Sequence, residues 1–200
     1  MRSPHSLVGI IPQSLKNTIY HFPNALIAAI YYGFPARNLT VIGVTGSDGK
    51  TTTVNLIHHI LEKQGIKAAL ISTVAAKIGD QDIDVGAHTT TPDPFFLQRL
   101  IQTIMNKGFT HLVIEATSHG LDQHRLLGIN PQVAVITNIT HEHLDYHRTY
   151  ADYIAAKAKL FSRAKWGILN RDDKQYSVLR AHIPKSVKII SYGLSKNAII

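Results

Sequence analysis

The chain has 200 residues, which fit one large domain or one domain plus a fragment, and 44% of them are hydrophobic, which is enough for a buried core and argues against low-complexity disorder. The absence of cysteine excludes disulfides and thiolate metal sites and fits a reducing compartment, so we expect a cytoplasmic protein. The net charge is +8, but the basic residues are scattered, which favours anionic small-molecule substrates over nucleic acid.

The first 38 residues are the least informative part of the chain. They contain no apolar stretch with a small-residue cleavage site, and the longest apolar segment, 25–32, is far shorter than the roughly 20 residues that span a bilayer. We therefore expect neither a secretory signal nor membrane insertion. Two short helices are predicted at 12–20 and 23–32, and the second is expected to pack against another element because it is apolar on most faces.

The most informative stretch is 41–53, with the sequence Val-Ile-Gly-Val-Thr-Gly-Ser-Asp-Gly-Lys-Thr-Thr-Thr. An apolar β-branched run, a turn containing glycine, and Lys-Thr at the start of a helical pattern together predict a phosphate-binding loop. Glycines let backbone N–H groups surround an anion, and the helix N-terminus adds the positive end of its dipole. Lys50 is expected to reach the terminal phosphates, and the Thr51 hydroxyl can hold Mg²⁺. An ordinary glycine-rich turn is the alternative.

The loop departs from the standard pattern in its first glycine. That glycine would stand at position 44, where this chain has Val44. We therefore expect a variant loop in which Gly46 takes up part of the backbone strain. In the helix that follows, Val54, Ile57, Ile60 and Leu61 are expected on the buried side. His58 and His59 are expected on the surface of the same helix.

Strands alternate with helices along the rest of the chain, which predicts an α/β fold with a mostly parallel sheet and helices on both faces. The predicted strands are 67–72, 110–116, 132–137, 166–169 and 187–191, a hairpin is predicted over 74–78 and 82–85, and the helices are 50–64, 95–106, 149–164 and 174–182. Polar loops at 117–125 and 138–147 follow the carboxyl ends of strands, where ligands bind in such sheets.

Two groups of polar residues could carry chemistry at this edge. Glu115 ends an apolar strand and can hold the Mg²⁺ of a nucleotide, with a strand-end salt bridge as the alternative. In 141–147 a zinc protease motif would need histidine where Asp145 stands, so only a single histidine at a Mg²⁺ or phosphate site remains open. Hydroxyl, amide and guanidinium donors in 89–91, 117–119 and 123–125 suit an anionic, sugar- or phosphate-bearing substrate, although each group alone could be capping or turn chemistry.

Six motifs in this order resemble those of the Mur ligases, most closely the branch of UDP-N-acetylmuramyl-tripeptide synthetases, over about residues 24–193. They are Gly-Val-Thr-Gly-Ser-Asp-Gly-Lys-Thr-Thr-Thr, Thr-Thr-Pro, Glu-Ala-Thr-Ser-His-Gly-Leu-Asp-Gln-His-Arg, Thr-Asn-Ile-Thr-His-Glu-His-Leu-Asp-Tyr-His, Ala-Ala-Lys-Ala-Lys-Leu-Phe and Leu-Asn-Arg-Asp-Asp. A phosphate loop alone would not be specific.

The resemblance implies which residues would act on each ligand. ATP would be bound by Gly46, Ser47, Asp48, Gly49, Lys50, Thr51 and Thr52, with Asn170 and Asp173 near the base and ribose. Mg²⁺ would be held by Thr51, Glu115, His143 and a carbamylated Lys157. UDP-N-acetylmuramyl dipeptide would be bound by Thr90, Thr91, Thr117, Gln123 and Arg125. The expected catalytic residues are Lys50, Lys157 and His143.

The implied reaction is ATP-dependent, ADP-forming amide-bond formation between that dipeptide and an amino acid, through an acyl phosphate, in peptidoglycan precursor synthesis. We expect a monomer that binds no nucleic acid. Ser47-Asp48 stands where the family usually has Thr-Asn, which puts a negative charge near the phosphates.

Two domains are expected. Residues 1–38 would be a short helical segment with the UDP-binding domain largely absent, and 39–200 would be the Mur ligase central ATP-binding domain, incomplete at its C-terminus and unable to complete the ligation alone. Two alternatives remain open: a ligase resembling folylpolyglutamate or cyanophycin synthetase, and a nucleotide-binding module without ligase activity.

Overall fold

The computed structural model describes residues 12–85, 91–140, 146–194 and 198. The strands are β1 (Thr40–Thr45), β2 (Ala68–Ile71), β3 (Ala75–Ile78), β4 (Gln81–Asp84), β5 (His111–Glu115), β6 (Val133–Ile136), β7 (Trp166–Asn170) and β8 (Lys188–Tyr192). The α-helices are α1 (Gln13–Lys16), α2 (Phe22–Tyr31), α3 (Lys50–Lys63), α4 (Pro94–Asn106), α5 (Ser118–Asp122), α6 (Tyr150–Ala158) and α7 (Tyr176–His182).

The strands form one sheet in the order β4-β3-β2-β5-β1-β6-β7-β8. Strands β2, β5, β1, β6, β7 and β8 are neighbours in that order, and each pairs with the next in parallel. The hairpin strands β3 and β4 extend the sheet beyond β2 with antiparallel pairing. The predicted α/β fold with a mostly parallel sheet is confirmed. Because β1 lies between β5 and β6, the loops that follow these three strands meet at one edge of the sheet.

Helices cover both faces of the sheet. Side chains alternate along a strand, so Val41 and Val44 of β1 lie on opposite faces. Val44 packs in a buried cluster with Val54 of α3. Val41 belongs to a larger cluster that includes Leu97 of α4 and Tyr153 of α6.

The N-terminal helices are joined rather than separate. The chain is helical from α1 to α2 through a π-helical segment, Asn17–His21, so the prediction of a break between two helices was wrong. Proline removes an amide and clashes with the carbonyl four residues earlier, and the wider π turn ahead of Pro23 accommodates it. The fully buried residues of α2 are all small. Ala25, Ala28 and Ala29 are buried, whereas Ile27 and Ile30 are exposed.

The helix after the phosphate loop differs from expectation at two positions. His58 is buried, not on the surface, because its Nε2 lies 3.1 Å from the Ala68 carbonyl oxygen and its Nδ1 lies 3.4 Å from Glu62. A polar ring can be buried when its nitrogens have such partners. Ile60 is 60% exposed, so the predicted apolar face is narrower than the sequence suggested. His59 is exposed, as expected.

Two further elements differ from their predicted form. The polar loop predicted at 117–125 contains the short helix α5, which Thr117 caps by accepting the Gly120 N–H at 3.0 Å. The helix predicted at 149–164 is α6, which ends at Ala158 and continues as a 3₁₀ turn, Lys159–Phe161. No helix in the described ranges is long and apolar enough to cross a membrane.

Candidate functional site

The phosphate loop, residues 46–52, follows β1 and includes the first residues of α3. Only glycine fits at position 46 of this loop. A Cβ on Gly46 would lie 1.9 Å from the Thr137 Oγ1 atom, and the φ angle of Gly46 is 150°, a value that L side chains rarely adopt. Gly49 caps α3 with a left-handed φ of 76°. The variant loop predicted from Val44 therefore depends on a close approach between Gly46 and the segment after β6.

That segment, 137–140, holds the loop from one side. The backbone N–H of Ser47 donates to the Asn138 carbonyl and that of Asp48 to the Asn138 side-chain oxygen, both at 2.9 Å. Thr137 donates its hydroxyl to the Asp48 carbonyl at 2.6 Å. These bonds use the amides of Ser47 and Asp48, so the amides that can face an anion are those from Gly49 onward, at the start of α3.

The side chains of the loop differ in burial and in hydrogen-bond partners. Ser47 is buried, and its Oγ accepts the Thr140 N–H at 2.9 Å. Asp48 is exposed, which keeps its carboxylate in water. The Lys50 Nζ donates to the Ser47 carbonyl at 2.5 Å, so the lysine side chain lies over its own loop.

Thr51 and Glu115 come together as the sequence predicted. The Thr51 hydroxyl donates to the Glu115 Oε2 atom at 2.9 Å, and Glu115 is only 2% exposed. Across the described ranges, the ion pairs are His58–Glu62 and Lys159–Asp122, so the alternative of a strand-end salt bridge at Glu115 has no support there. A buried carboxylate beside a hydroxyl is a set of hard oxygen donors that fits Mg²⁺.

Lys157 lies against the same loop. Its side chain is 1% exposed, and its Nζ donates to the Gly46 carbonyl at 2.6 Å. The Nζ also lies 4.4 Å from the centroid of the Tyr153 ring. Lys157 therefore lies at the edge of the sheet that carries the phosphate loop.

The predicted substrate residues form a second group. The hydroxyl oxygens of Thr91 and Thr117 lie 3.1 Å apart and are buried. Arg125 donates from Nη1 to the Thr91 carbonyl at 2.5 Å and from Nε and Nη2 to the Gln123 Oε1 atom at 2.9 and 2.7 Å. Burial lowers the pKa of Arg125, against the opposing effect of Asp93. The Thr117 hydroxyl also accepts the Thr91 N–H at 3.3 Å and the Thr91 hydroxyl accepts the Thr117 N–H at 3.2 Å, so both hydroxyls bond to backbone.

A carboxylate that the sequence did not single out extends this second group. Asp122 accepts hydrogen bonds from Asn17 at 2.6 Å, from Lys159 at 2.7 Å and from Tyr146 at 3.1 Å. Tyr146 in turn accepts from Gln123 at 3.3 Å. Asn17 is 105 residues away in the sequence, so no local pattern could have indicated this contact.

Asp122→Asn is expected to weaken the dependence of the free energy of unfolding on pH in the acid range. Burial by itself would raise the pKa of Asp122, but the bond and charge of Lys159 and the bonds from Asn17 and Tyr146 lower it overall. A lowered folded pKa gives stability that is present above the ordinary carboxyl pKa and is lost as pH falls through the lowered value. We expect a loss of about 1 kcal/mol at pH 7, since solvent screens the half-exposed Lys159.

Urea unfolding between pH 7 and pH 3 measures this effect, with the exposed Asp80→Asn as the matched control. The control should keep the wild-type profile. An Asp122→Asn profile parallel to that of the wild type would contradict the assignment.

Asn170 and Asp173 lie on the same edge but contact protein rather than open space. Asn170 donates to the Thr137 carbonyl at 3.2 Å, and Asp173 accepts the Ile139 N–H at 2.6 Å. Both side chains therefore support the segment that holds the phosphate loop. Their predicted place near the base and ribose stays a prediction. Thr90 and His143 fall outside the described residues.

A phosphate loop at the carboxyl edge of a parallel sheet, with a carboxylate bonded to its threonine, is typical of nucleotide-binding proteins. The chain matches the family model of the Mur ligase middle domain over residues 44–200 and belongs to the Mur ligase family.

Named relatives agree with this membership. The chain is 41% identical over 181 residues to UDP-N-acetylmuramyl-tripeptide synthetase 2 of Oceanobacillus iheyensis, covering 87% of this chain and 36% of that protein. It is 40% identical over 185 residues to the UDP-N-acetylmuramoyl-L-alanyl-D-glutamate–2,6-diaminopimelate ligase of Geobacillus thermodenitrificans, covering 87% and 37%. The chain thus spans about a third of the length of these curated relatives.

Solved structures show the same fold. A structure of a UDP-N-acetylmuramoyl-L-alanyl-D-glutamate–2,6-diaminopimelate ligase matches with a TM-score of 0.71 and 35% identity, covering 80% of this chain and 33% of that one. The folylpolyglutamate synthase of Mycobacterium tuberculosis complexed with ADP matches with a TM-score of 0.70 over 84% of this chain and 46% of its own. Its identity is only 16%, so this second likeness concerns the fold alone.

Proposed function

We propose that this chain is the ATP-binding part of an ADP-forming ligase that joins an amino acid to UDP-N-acetylmuramyl dipeptide in the cytoplasm, in peptidoglycan precursor synthesis. The observation that carries the proposal is the hydrogen bond between Thr51 and the buried Glu115 beside the phosphate loop. Relatives named as ligases of this pathway, each matching 87% of the chain, support the choice of substrate. We assign residues 39–200 to the central domain and 1–38 to a short helical segment.

ATP binding would use backbone amides and one lysine. The amides from Gly49 to Thr52 lie at the N-terminus of α3, where a helix favours phosphate. Lys50 would move from the Ser47 carbonyl to the terminal phosphates. Mg²⁺ held by Thr51 and Glu115 would supply positive charge that stabilises the phosphoryl group during transfer. His143 stays a predicted ligand and catalytic residue.

Lys157 is proposed to carry a carbamate. The Lys157 ammonium would lose one proton, and the resulting neutral amine would form a bond with the carbon of CO₂ and release a second proton. A cation would thereby become a carboxylate-like anion on a long arm. The position of its Nζ, 2.6 Å from the Gly46 carbonyl, supports a role at the loop. A buried anion there would offer oxygen to a hard cation.

The dipeptide would be bound at the second group, where the Arg125 guanidinium is oriented by Gln123 and suits a carboxylate or phosphate. The terminal carboxylate of the dipeptide would attack the γ-phosphorus, and the bond from that phosphorus to ADP would break. The neutral amine of the incoming amino acid would then attack the carbonyl carbon of the acyl phosphate, the bond from that carbon to the phosphate oxygen would break, and the proton lost from the nitrogen would leave with phosphate. Thr90, Thr91 and Thr117 are proposed to border this site.

Phosphate release tests the substrate assignment. The protein in its natural length should release phosphate from ATP only when UDP-N-acetylmuramyl dipeptide and an amino acid, lysine or diaminopimelate, are both present. Release with a pteroylglutamate in place of the dipeptide would instead assign the protein to the folylpolyglutamate branch. ATP binding without release in either mixture would leave a nucleotide-binding module.

Glu115→Gln is expected to raise the Mg²⁺ concentration needed for half-maximal ATP binding by about tenfold or more, because an amide lacks the charge of a carboxylate. Titration calorimetry at several Mg²⁺ concentrations measures it. Asp80→Asn, at an exposed position between β3 and β4, is the control and should not differ from wild type. An unchanged Mg²⁺ requirement in Glu115→Gln would remove Glu115 from the metal site.

A further inference from the structure

We propose that Tyr153 is a positioning residue that fixes the phosphate loop and Lys157 relative to each other, and so sets the affinity for ATP. The proposal rests on the proposed function in taking ATP as the ligand. Tyr153 lies on α6 and is 0% exposed.

The hydroxyl of Tyr153 contacts the loop directly. It lies 2.9 Å from the Ser47 Oγ atom, and both residues are buried. Ser47 Oγ also accepts the Thr140 N–H at 2.9 Å, so the serine hydroxyl joins α6 to the segment after β6. Without the tyrosine hydroxyl, the serine hydroxyl would bond to Thr140 alone, through its N–H at 2.9 Å and its carbonyl at 3.4 Å, and the link to α6 would be lost.

The ring of Tyr153 contacts the lysine one helical turn later. Residues four apart on a helix are neighbours, and the Lys157 Nζ lies 4.4 Å from the Tyr153 ring centroid. The same Nζ donates to the Gly46 carbonyl at 2.6 Å. Two successive loop residues, Gly46 and Ser47, are therefore held by two adjacent side chains of α6.

This arrangement gives the loop a second support. The segment after β6 holds Ser47 and Asp48 through their backbone amides. From α6, Tyr153 holds the loop through the Ser47 side chain, and Lys157 holds it through the Gly46 carbonyl. The amides from Gly49 onward follow directly in the chain, so their direction depends on both supports. A looser loop binds phosphate less well because ordering it costs entropy on binding.

The test is Mg²⁺–ATP binding by titration calorimetry with the whole chain, together with thermal melting. Tyr153→Phe removes one hydroxyl and is expected to weaken ATP binding about five- to tenfold, as loss of one buried hydrogen bond would. Ser47→Ala removes this bond together with the bond from the Thr140 N–H, so it should weaken binding at least as much. The double variant should bind no more weakly than Ser47→Ala within about twofold, because the serine change already removes the bond that Tyr153→Phe breaks. Ser47→Thr keeps the hydroxyl and should retain the wild-type affinity.

Tyr31→Phe on α2 is the matched control, because the Tyr31 side chain is 74% exposed. Its ring contacts Tyr32 and Phe95 rather than the loop. The control should bind ATP like the wild type. Wild-type affinity in Tyr153→Phe, or equal losses in both tyrosine variants, would overturn the positioning role while leaving the proposed function intact. If the wild-type chain does not bind Mg²⁺–ATP, the proposed function and the positioning role both fail.

Discussion

Gly46→Ala is expected to abolish ATP binding and to destabilise the fold by about 2–4 kcal/mol. The added Cβ would lie 1.9 Å from the Thr137 Oγ1 atom, so the loop or the segment after β6 must shift. Either shift breaks the bonds that orient the loop, including that between Thr137 and Asp48. Urea unfolding and ATP titration measure the two effects.

Gly65→Ala separates the clash from the backbone conformation. Gly65 also has a positive φ, 73°, but a Cβ there would have no atom within 4 Å. We expect Gly65→Ala to cost about 1 kcal/mol of stability and to leave ATP binding unchanged. ATP affinity in Gly46→Ala equal to that in Gly65→Ala would show that the close approach is unimportant.

Lys157→Ala is expected to reduce ligation by at least about a thousandfold, because the buried arm beside Gly46 would be lost. Added short carboxylates should recover part of the activity, since they can occupy the space of the carbamate and offer the same oxygens. Phosphate release by the protein in its natural length measures both.

Lys165→Ala is the control for this second variant. Lys165 is exposed and lies beyond the end of α6. Its removal should leave ligation within about twofold of wild type. Unchanged ligation in Lys157→Ala would exclude the carbamate, and loss without any recovery by carboxylates would assign Lys157 a different role.

The shared edge of Thr51 and Glu115 was predictable because of the sheet. Glu115 ends one strand, and Thr51 follows the loop after another. Parallel strands place their carboxyl ends at one edge, so both residues were expected there. β1 pairs with β5 in register, with Val44 opposite Glu115, as that reasoning requires. The alternating strand and helix pattern fixed the fold class in the same way.

The contacts made by distant side chains could not be predicted. Asn17 meets Asp122, and Tyr153 meets Ser47, across 105 and 106 residues. Local periodicity tells which face of an element is buried but does not identify the residue that it meets. His58 shows the same limit, because a histidine on a helix becomes buried only when a carbonyl such as that of Ala68 lies within reach.

Ser47 lies in the loop, but its contacts differ from those that the resemblance implies. The resemblance assigned Ser47 to ATP binding, whereas its hydroxyl bonds to Tyr153 and its amide to Asn138. Its contribution to ATP binding would therefore be indirect. Asp48 has an exposed side chain, so its charge is more weakly felt than that of a buried carboxylate.

Calorimetric titration of ATP into the wild-type chain and into Lys50→Ala tests whether this loop binds ATP together with Mg²⁺. We predict one site per chain in the wild type, binding that depends on Mg²⁺, and a loss of affinity of about a hundredfold in Lys50→Ala, which lacks the charge that would reach the terminal phosphates. Absence of binding in the wild type, or equal affinity in Lys50→Ala, would show that the loop does not bind ATP in this way.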